Sequence, residues 1–306
     1  MRFERAHGQD AMTGSWDKEV DIVVVGSGAG GMLSALVAAK NHADVLIVEK
    51  DRRWGGTSAT SGGGIWIPGS DQARAAGFED NLDDAFRYCR ALSADNVPDE
   101  NIRAYVDNAA GMLRWLTANT PLVYTAQPYP DYHAENPGGS VTGYRTHLPE
   151  MMDGRALGDD LKTQQFPSPA ASLFGYLNWT FAETYQLLYR SKGWLTGLVL
   201  NMAKYWLDWP FRFGSRKDRR LTLGNALTGG IRMALNEAGV PLWLNTPMRE
   251  VVRYAALAAP VVGLLFAFSG QLGRSLARIF NLGAARHVVI AGDSAAALSL
   301  AQDCRK

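Results

Sequence analysis

Apolar positions near the start of the chain follow the pattern of one compact strand–helix–strand unit. Residues 21–25 run through isoleucine and valine to a glycine, which is typical of a strand buried on both faces of a parallel sheet. Residues 31–41 have helical periodicity, and a second short apolar run occupies residues 45–48. The pattern therefore predicts a βαβ unit over residues 20–49.

The rest of the pattern predicts helices separated by two irregular stretches. These stretches are the glycine-dense residues 55–69, predicted as a loop, and residues 121–158, whose Pro, Gly, Tyr and Asn predict a loop with short strands. The remaining predicted elements are helices at 81–92, at 98–116, within 175–213 and at 229–239, and a strand at 241–244. The last strand indicates that the chain returns to the sheet it left.

Residues 175–213 combine helical periodicity with a high density of aromatic side chains, Trp179 and Trp206 among them. A helical cap that packs a core of its own is the favoured interpretation. A substrate entrance or a surface that touches a membrane stays open beside it.

Composition narrows the classes of function. Of the 306 residues 47% are hydrophobic and 20% are charged, and the net charge is +1, which excludes a disordered chain and gives no basic surface for nucleic acid. Cys89 and Cys304 have no metal-ligand spacing, so we expect no metal site and a reducing compartment. Residues 1–18 lack the apolar run of a secretory signal. We expect a flexible arm there and a cytoplasmic location, with association to a membrane left open.

Residues 26–31, Gly-Ser-Gly-Ala-Gly-Gly, place the motif G-x-G-x-x-G between a predicted strand and a predicted helix. In this motif the first glycine allows a tight turn, the second lets the backbone approach a pyrophosphate, and the third lets the helix pack closely on the strand. The phosphates are expected at the positive end of the helix. The residues assigned to them are Gly26, Ser27, Gly28, Ala29, Gly30 and Gly31.

Glu49 closes the second predicted strand, where a carboxylate can accept hydrogen bonds from both hydroxyls of an adenosine ribose. Residues 49–64, which continue from it as Lys-Asp-Arg-Arg-Trp-Gly-Gly-Thr-Ser-Ala-Thr-Ser-Gly-Gly-Gly, resemble the corresponding stretch of the fumarate reductase and ketosteroid dehydrogenase flavoprotein family. The resemblance implies FAD, with this loop folded over the pyrophosphate and ribityl chain and its backbone N–H groups near the isoalloxazine. Besides Glu49, the residues that it assigns to FAD are Lys50, Gly55, Gly56, Thr57, Ser58, Ser61, Gly62, Gly63 and Gly64.

Family members that attach the flavin covalently carry a histidine at the place that matches Gly56, so the resemblance implies noncovalent FAD here. Residues 64–69, 129–133, 223–227 and 243–248 further resemble the 3-ketosteroid Δ1-dehydrogenase branch. In that branch the tyrosine matching Tyr132 helps a second tyrosine to remove a proton, and the strand that ends near Met248 touches the adenine edge. A half-buried loop tyrosine remains the alternative for Tyr132. Satisfied or solvent-facing side chains are expected for His133 and His147.

Together these features predict an α/β fold, a Rossmann-like FAD-binding domain with an inserted, largely helical substrate or cap domain. The predicted boundaries are 1–18 for the arm, 19–75 and 221–254 for the FAD-binding domain, 76–220 for the cap, and 255–306 for an atypical tail. The resemblance implies an FAD-dependent dehydrogenase that passes a hydride from an activated C–C bond of an apolar, 3-ketosteroid-like ketone to the flavin, with an unidentified electron acceptor. A truncated or fused FAD-binding protein without turnover, a fumarate-reductase-like enzyme and a membrane-associated nucleotide-binding protein are the alternatives.

The resemblance covers residues 21–252 and does not continue into the tail. Residues 254–273 are uncharged and long enough for a membrane span, although Pro260 and Gly263 favour a buried or misfitting segment. Residues 287–290 predict a strand that meets a glycine and is followed by a helix. They are interpreted as a later strand of the FAD sheet, as the start of a different nucleotide-binding domain, or as neither.

Overall fold

The computed structural model describes residues 17–93 and 95–249. The predictions for residues 1–16 of the arm, for the apolar residues 254–273, for the strand and helix after residue 286, and for Cys304 lie outside the described residues.

Ten helices and ten strands follow one another in these two ranges. In chain order they are β1 (Ile22–Val25), α1 (Ala29–Lys40), β2 (Val45–Val48), α2 (Gly56–Thr60), β3 (Ile65–Trp66), α3 (Asp71–Ala75), α4 (Leu82–Leu92), α5 (Asp99–Asn119), β4 (Tyr124–Ala126), β5 (Thr146–Pro149), β6 (Met152–Asp153), α6 (Asp160–Thr163), β7 (Ser172–Leu173), β8 (Leu177–Asn178), α7 (Phe181–Leu188), α8 (Trp194–Leu207), α9 (Trp209–Arg212), β9 (Arg220–Leu221), α10 (Leu223–Glu237) and β10 (Leu242–Trp243).

A three-stranded parallel sheet forms the centre of the fold, with β2 between β1 and β10. Ile22 lies beside Val45, and Leu242 lies beside Ile47. The first βαβ unit and the return of the chain to its sheet are therefore confirmed. The side chains of Val24 and Ile47 are fully buried, as the apolar runs predict for strands covered on both faces.

The main hydrophobic core joins this sheet to helices α1, α5 and α10. Met32 and Leu36 contribute from α1, Leu113 from α5 and Ile231 from α10, and each of these side chains is almost fully buried. Burial of a side chain of this size contributes about 1.5–3 kcal/mol. Part of the region predicted as an inserted cap therefore shares the core of the sheet, and the domain boundaries themselves stay predictions.

A second sheet connects the glycine-dense residues with the irregular stretch after α5. Strand β5 lies between β3 and β4, and both pairings are antiparallel, with Ile65 beside His147. The prediction of a continuous loop over residues 55–69 is wrong at two places, because α2 and β3 lie within it. Both elements are too short to be stable alone, so tertiary contacts hold them, among them the buried side chain of Ala59.

Helix α10 begins six residues before the predicted start at residue 229. Glycines at 224, 229 and 230 each lower helix propensity by about 1 kcal/mol relative to alanine, which hides the first turns from a sequence pattern. Close packing explains them. A Cβ atom at Gly224 would lie 2.2 Å from the carbonyl oxygen of Ser58, and one at Gly230 would lie 2.5 Å from Leu122 Cγ.

Helices α7, α8 and α9, here called the aromatic helices, form only a small core. Its buried members are Leu177, Trp179 and Tyr205, and α7 buries no residue. The interpretation that the residues of this segment pack a core of their own is wrong for most of them. The exposed apolar side chains of the aromatic helices and their flanks are Phe174, Phe181, Tyr185, Leu188, Tyr189, Leu195, Val199, Leu200, Trp206, Leu207, Trp209 and Phe213. Within residues 17–93 and 95–249 no helix combines the length and the apolar character that crossing a membrane would need.

Candidate functional site

The glycine turn after β1 has the geometry that the motif requires. Gly26 has a φ of +96°, and a Cβ atom at Gly31 would lie only 2.3 Å from the Gly26 carbonyl oxygen. Gly28 precedes α1 with extended backbone and offers no side-chain cap of its own, and no acidic residue occupies the first turn of the helix. The positive end of α1 is thus left without an internal anion, which suits a pyrophosphate.

Glu49 lies at the carboxyl end of β2 and its side chain faces the glycine turn. One carboxylate oxygen accepts hydrogen bonds from Ser27 N (2.9 Å) and Ser27 Oγ (2.5 Å), and the other accepts from Asp51 N (3.0 Å). A carboxylate has about four acceptor positions, so these three donors leave room for a further hydroxyl. Contact of Glu49 with a ribose stays a prediction. The structure adds that the same carboxylate holds the turn.

Residues 55–64, here called the flavin-binding loop after the role that the sequence predicts for them, lie directly against the glycine turn. Gly55 N donates to Ser27 Oγ (3.1 Å), and Ala29 N at the start of α1 donates to Ser58 Oγ (3.1 Å). A Cβ atom at Gly56 would meet only Gly28 Cα, at 3.9 Å. The structure therefore brings together the two segments that the sequence assigns to the cofactor.

Open space borders this junction on the side where backbone donors are needed. A Cβ atom added at Gly30 or Gly62 would meet no atom within 4 Å, and Thr57, Ser61 and Gly64 are exposed. Exposed backbone without side-chain obstruction is what an extended anionic ligand requires. The assignment of each residue to FAD stays a prediction.

The start of α10 supports the flavin-binding loop from the opposite side. Gly224 N donates to Ser61 O (3.0 Å), and Asn225 Nδ2 donates to Ala59 O (2.7 Å). A Cβ atom at Gly63 would lie 2.5 Å from the carbonyl group of Leu223. The family resemblance marks residues 223–227 without giving them a role, and the structure identifies them as the platform of the loop.

Lys217 is a buried cation that the sequence does not reveal. It lies in the charged run at residues 216–220, which a pattern would place in solvent, yet its side chain is 1% exposed. Nζ donates to Gln165 O (2.8 Å) and to Asn225 Oδ1 (2.7 Å). Burial, and to a lesser degree the nearby charge of Arg53, lowers the pKa of Lys217 to about 7, while Asp218 opposes the shift.

Tyr132 lies on an outer loop and its side chain is fully exposed, so the half-buried alternative is wrong. Asp131 beside it is buried and fixes the loop. Its Oδ1 accepts from Trp66 Nε1 (2.7 Å), and its Oδ2 accepts from Ser140 N (2.9 Å) and Arg145 Nη1 (3.0 Å). Trp66 follows the flavin-binding loop by two residues, so the structure links the Tyr132 segment to the strand that leaves the cofactor region.

Arg145, Asp80 and Asp131, here called the anchor network, form a buried set of charges. Arg145 pairs with Asp80 at 2.8 Å and with Asp131 at 3.0 Å, and the three side chains are at most 3% exposed. Although burial lowers it, the pKa of Arg145 is raised on balance because both carboxylates stabilise the cation. This network makes the loop that carries Tyr132 a fixed part of the structure.

Both histidines of this region have the environments that the sequence predicts. His147 is buried, with Nδ1 2.8 Å from Arg145 O and Nε2 2.7 Å from Ser70 Oγ, and burial lowers its pKa. His133 is largely exposed beside Glu135. The satisfied or solvent-facing interpretation is confirmed for both side chains. Across residues 17–93 and 95–249 no group of three His, Cys, Asp or Glu side chains could hold a metal ion.

Lys50 and Met248 lie at the rim of this region. Both side chains are exposed, Met248 to 42%. The segment after β10 approaches Glu49, because Thr246 N donates to Glu49 O (2.8 Å) and Asn245 N donates to Asp51 O (3.0 Å). Met248 follows this contact by two residues and so lies in a segment that approaches Glu49. Its contact with adenine stays a prediction.

Comparisons with known proteins agree with a cofactor site at the glycine turn and the flavin-binding loop. Residues 21–304 match the family described as FAD binding domain, so the prediction that the resemblance ends at residue 252 is wrong. The chain belongs to this family. FAD is its cofactor. That anionic group is fitted by the glycine turn, by the start of α1, which has no acidic residue, and by the open face of the flavin-binding loop.

Relatives in this family include named dehydrogenases. The chain is 36% identical over 259 residues to 3-oxosteroid 1-dehydrogenase of Comamonas testosteroni, covering 83% of this chain and 44% of that protein. It is 30% identical over 237 residues to 4-oxocyclohex-2-ene-1-carboxylate 5-dehydrogenase of Sinomonas cyclohexanicum, covering 76% of this chain and 39% of that protein.

Among solved structures, 3-ketosteroid Δ1-dehydrogenase of Sterolibacterium denitrificans, in complex with 1,4-androstadiene-3,17-dione, superposes with a TM-score of 0.69. The identity is 38%, and the match covers 78% of this chain and 42% of that chain. The chain thus spans less than half the length of these relatives.

Proposed function

We propose that this chain is the FAD-binding portion of a dehydrogenase that removes hydrogen from a carbon pair next to a ring ketone. The observation that carries the proposal is the junction of the glycine turn, the flavin-binding loop and α10, in a chain 36% identical to a 3-oxosteroid 1-dehydrogenase. A second relative is named for a cyclohexene ketone, so a ring ketone and dehydrogenation are common to both names. We infer a cyclic ketone as the substrate class, with an apolar 3-ketosteroid as its leading member.

In this proposal the residues of the chain hold the cofactor and assist one proton transfer. The first turn of α1, which carries no acidic residue, and the backbone of the flavin-binding loop bind and orient FAD. Bound FAD supplies the acceptor for the hydride that leaves the substrate. The hydroxyl of Tyr132, which can donate and accept a hydrogen bond, assists removal of the proton from the neighbouring carbon. The anchor network positions the loop on which Tyr132 lies.

Dicarboxylate reduction has less support from the geometry. Such a reaction needs arginine and histidine side chains that are free to bind two carboxylates. Arg145 is already paired with Asp80 and Asp131, and His147 is buried against Ser70. A dicarboxylate site built on these two side chains would have to break these contacts.

A protein that holds FAD without turning over substrate is the second candidate. It is favoured by one observation, namely that the side chain of Tyr132 is fully exposed. In that case the cradle described here would bind the cofactor, while Tyr132 would take no part in a proton transfer.

One assay distinguishes the two candidates. The purified protein is incubated with 4-androstene-3,17-dione and an artificial electron acceptor, and both acceptor reduction and the dienedione product are measured. Turnover that falls at least about 100-fold in Tyr132→Phe, with FAD content unchanged, supports the dehydrogenase. Flavin-containing protein without product formation supports the binding protein, and equal turnover by Tyr132→Phe removes Tyr132 from the mechanism.

We also propose that the aromatic helices contact a lipid surface. Exposed Leu195, Val199 and Leu207 on α8 and Phe213 after α9 lie in the same segment as the exposed cation Lys204. Apolar side chains beside lysine and arginine are typical of helices that lie in the interface of an anionic membrane. An apolar ketone would concentrate in the same membrane interface. The membrane would then supply the substrate next to the protein.

A further inference from the structure

Lys217 and Asn225 form a buried polar clamp on the flavin-binding loop. Asn225 is fully buried and uses both ends of its amide, since Oδ1 accepts from Lys217 Nζ (2.7 Å) and Nδ2 donates to Ala59 O (2.7 Å). Lys217 Nζ also donates to Gln165 O (2.8 Å). The chain at Gln165 and the chain at residues 217–225 are therefore connected to the carbonyl group of Ala59, near the end of α2.

The direction of each hydrogen bond is fixed by its partners. Carbonyl oxygens of Ala59 and Gln165 can only accept, so the lysine must donate to Gln165 and the amide must present its NH₂ group to Ala59. Both N–H groups of even a neutral lysine amine are then engaged as donors. The clamp accordingly has one arrangement, whichever protonation state Lys217 adopts.

The clamp and the start of α1 hold different residues of α2. Ser58 Oγ accepts from Ala29 N at the start of α1, whereas Ala59 O is held by Asn225 on α10. The short helix α2 is thus fixed between the part of the chain assigned to the pyrophosphate and the platform below it. A five-residue helix cannot hold its own conformation in water, so these tertiary contacts determine where its backbone donors point.

Burying the Lys217 ammonium is costly because its polar partners are uncharged. Within residues 17–93 and 95–249 no carboxylate oxygen accepts a hydrogen bond from Nζ, whose polar partners are a backbone carbonyl and an amide. The charged groups that act on it are Arg53, from the segment after β2, and Asp218 beside it in sequence. The Phe166 ring lies 5.2 Å from Nζ.

We propose that Asn225 and Lys217 are positioning residues for FAD: they hold Ala59 O, and with it α2, in the orientation that binds the flavin. The inference rests on the proposed cofactor site. A lost buried hydrogen bond typically has an effect equivalent to about tenfold in an equilibrium constant, so breaking the clamp is expected to weaken FAD binding by at least that factor.

Two variants separate positioning from folding. Asn225→Asp removes the donor to Ala59 O and sets a carboxylate oxygen against that carbonyl, while it gives the buried Lys217 a counter-charge. Lys217→Met together with Asn225→Leu replaces both partners by apolar groups of similar size, which is often nearly neutral for stability. Lys162→Met is the control, because Lys162 pairs with Asp159 at the surface.

Each protein is expressed, stripped of flavin and titrated with FAD, following flavin fluorescence, the shape of the visible absorption band, and circular dichroism for the fold. We expect both clamp variants to keep the native circular dichroism, to bind FAD at least about tenfold more weakly, and to alter the band shape of the flavin that remains bound. The control should bind like the wild type.

Wild-type affinity and band shape in either folded clamp variant would overturn the inference. Loss of the fold in both would also overturn it, since the pair would then be structural. If the wild type itself ignores FAD, the proposed cofactor site fails, and that outcome is distinct from failure of the clamp.

Discussion

The flavin-binding loop and the aromatic helices are held by different kinds of contact. In the loop, backbone packs on backbone: Gly63 lies against Leu223, and Gly224 against Ser58, at distances that leave no space for a Cβ atom. In the aromatic helices side chains make the contacts, and α7 buries none of its residues. One region is therefore preformed for a ligand, whereas the other has a surface suited to a partner.

This difference shows where each region is sensitive to substitution. Gly63 and Gly224 are needed for close approach, so a side chain at either position displaces a helix or a carbonyl group. Gly197 on α8 has ordinary space around it, because a Cβ atom there would come no closer than 4.0 Å to its nearest neighbour, Gln186 Oε1. Substitutions in the aromatic helices should alter what the surface binds and leave the fold intact.

The largest effect is expected for Gly224→Ala. Its Cβ atom would lie 2.2, 2.6 and 2.8 Å from the carbonyl oxygens of Ser58, Ser61 and Ala59, so α10 must move away from the loop. We expect a loss of about 3 kcal/mol or more in the free energy of unfolding, measured by urea denaturation. Gly197→Ala is the matched control in the other region and should be neutral or stabilising by up to about 1 kcal/mol. Equal effects at the two glycines would contradict the comparison.

The next largest effect is expected for Asp131→Asn. The substitution removes one carboxylate from the anchor network and leaves the Arg145 charge buried with Asp80 alone. We expect unfolding to become easier by about 2–3 kcal/mol, and turnover to fall further than FAD affinity, because the loop of Tyr132 loses its fixed position. Asp159→Asn, which affects a surface pair, should leave the denaturation curve in place. Unchanged stability of Asp131→Asn would mean that the network does not hold the loop.

The same contrast explains how much of the fold and of the candidate site could be predicted from the sequence. The strands around the glycine turn were predictable, because buried parallel strands read as continuous apolar runs. The early start of α10, the helix α2 and the burial of Lys217 were not. Each depends on contacts with residues far away in the chain, and the local pattern around them indicates a loop or a solvated charge run. Exposure of the aromatic helices was predicted only as an alternative to a packed core, since apolar periodicity does not show whether a partner covers the face.

A smaller effect concerns pH. The pKa of Lys217 is lowered from 10.5 to about 7 in the folded protein, chiefly by burial. Between these values the unfolded chain binds a proton that the folded chain lacks, so stability rises with pH, by about 2 kcal/mol from pH 7 to pH 9. Below pH 7 both states are protonated and this dependence ends. Lys217→Met removes the titrating group. When the free energy of unfolding is measured by chemical denaturation at several pH values, the variant should lack this rise between pH 7 and pH 9. An identical pH dependence in both proteins would place Lys217 in solvent.

The smallest effect on stability, with a clear effect on binding, is expected for Leu207→Ser combined with Phe213→Ser. These side chains are 75% and 84% exposed, so the melting temperature should not change. Partitioning onto vesicles of anionic phospholipid, measured by sedimentation, should fall at least about tenfold because apolar contact with the interface is lost. Leu92→Ser, at an exposed position of α4, is the control. Equal partitioning of all three proteins would remove the aromatic helices as a lipid contact.

Titration of the flavin-free protein with FAD, read by absorbance and fluorescence, is the most direct test of the central claim that the glycine turn and the flavin-binding loop form one cofactor site. We predict saturable binding by the wild type and none by Gly28→Val, whose branched side chain would occupy the approach to the first turn of α1. Folded wild-type protein that leaves FAD free in solution, or Gly28→Val protein that binds it equally well, would contradict the account.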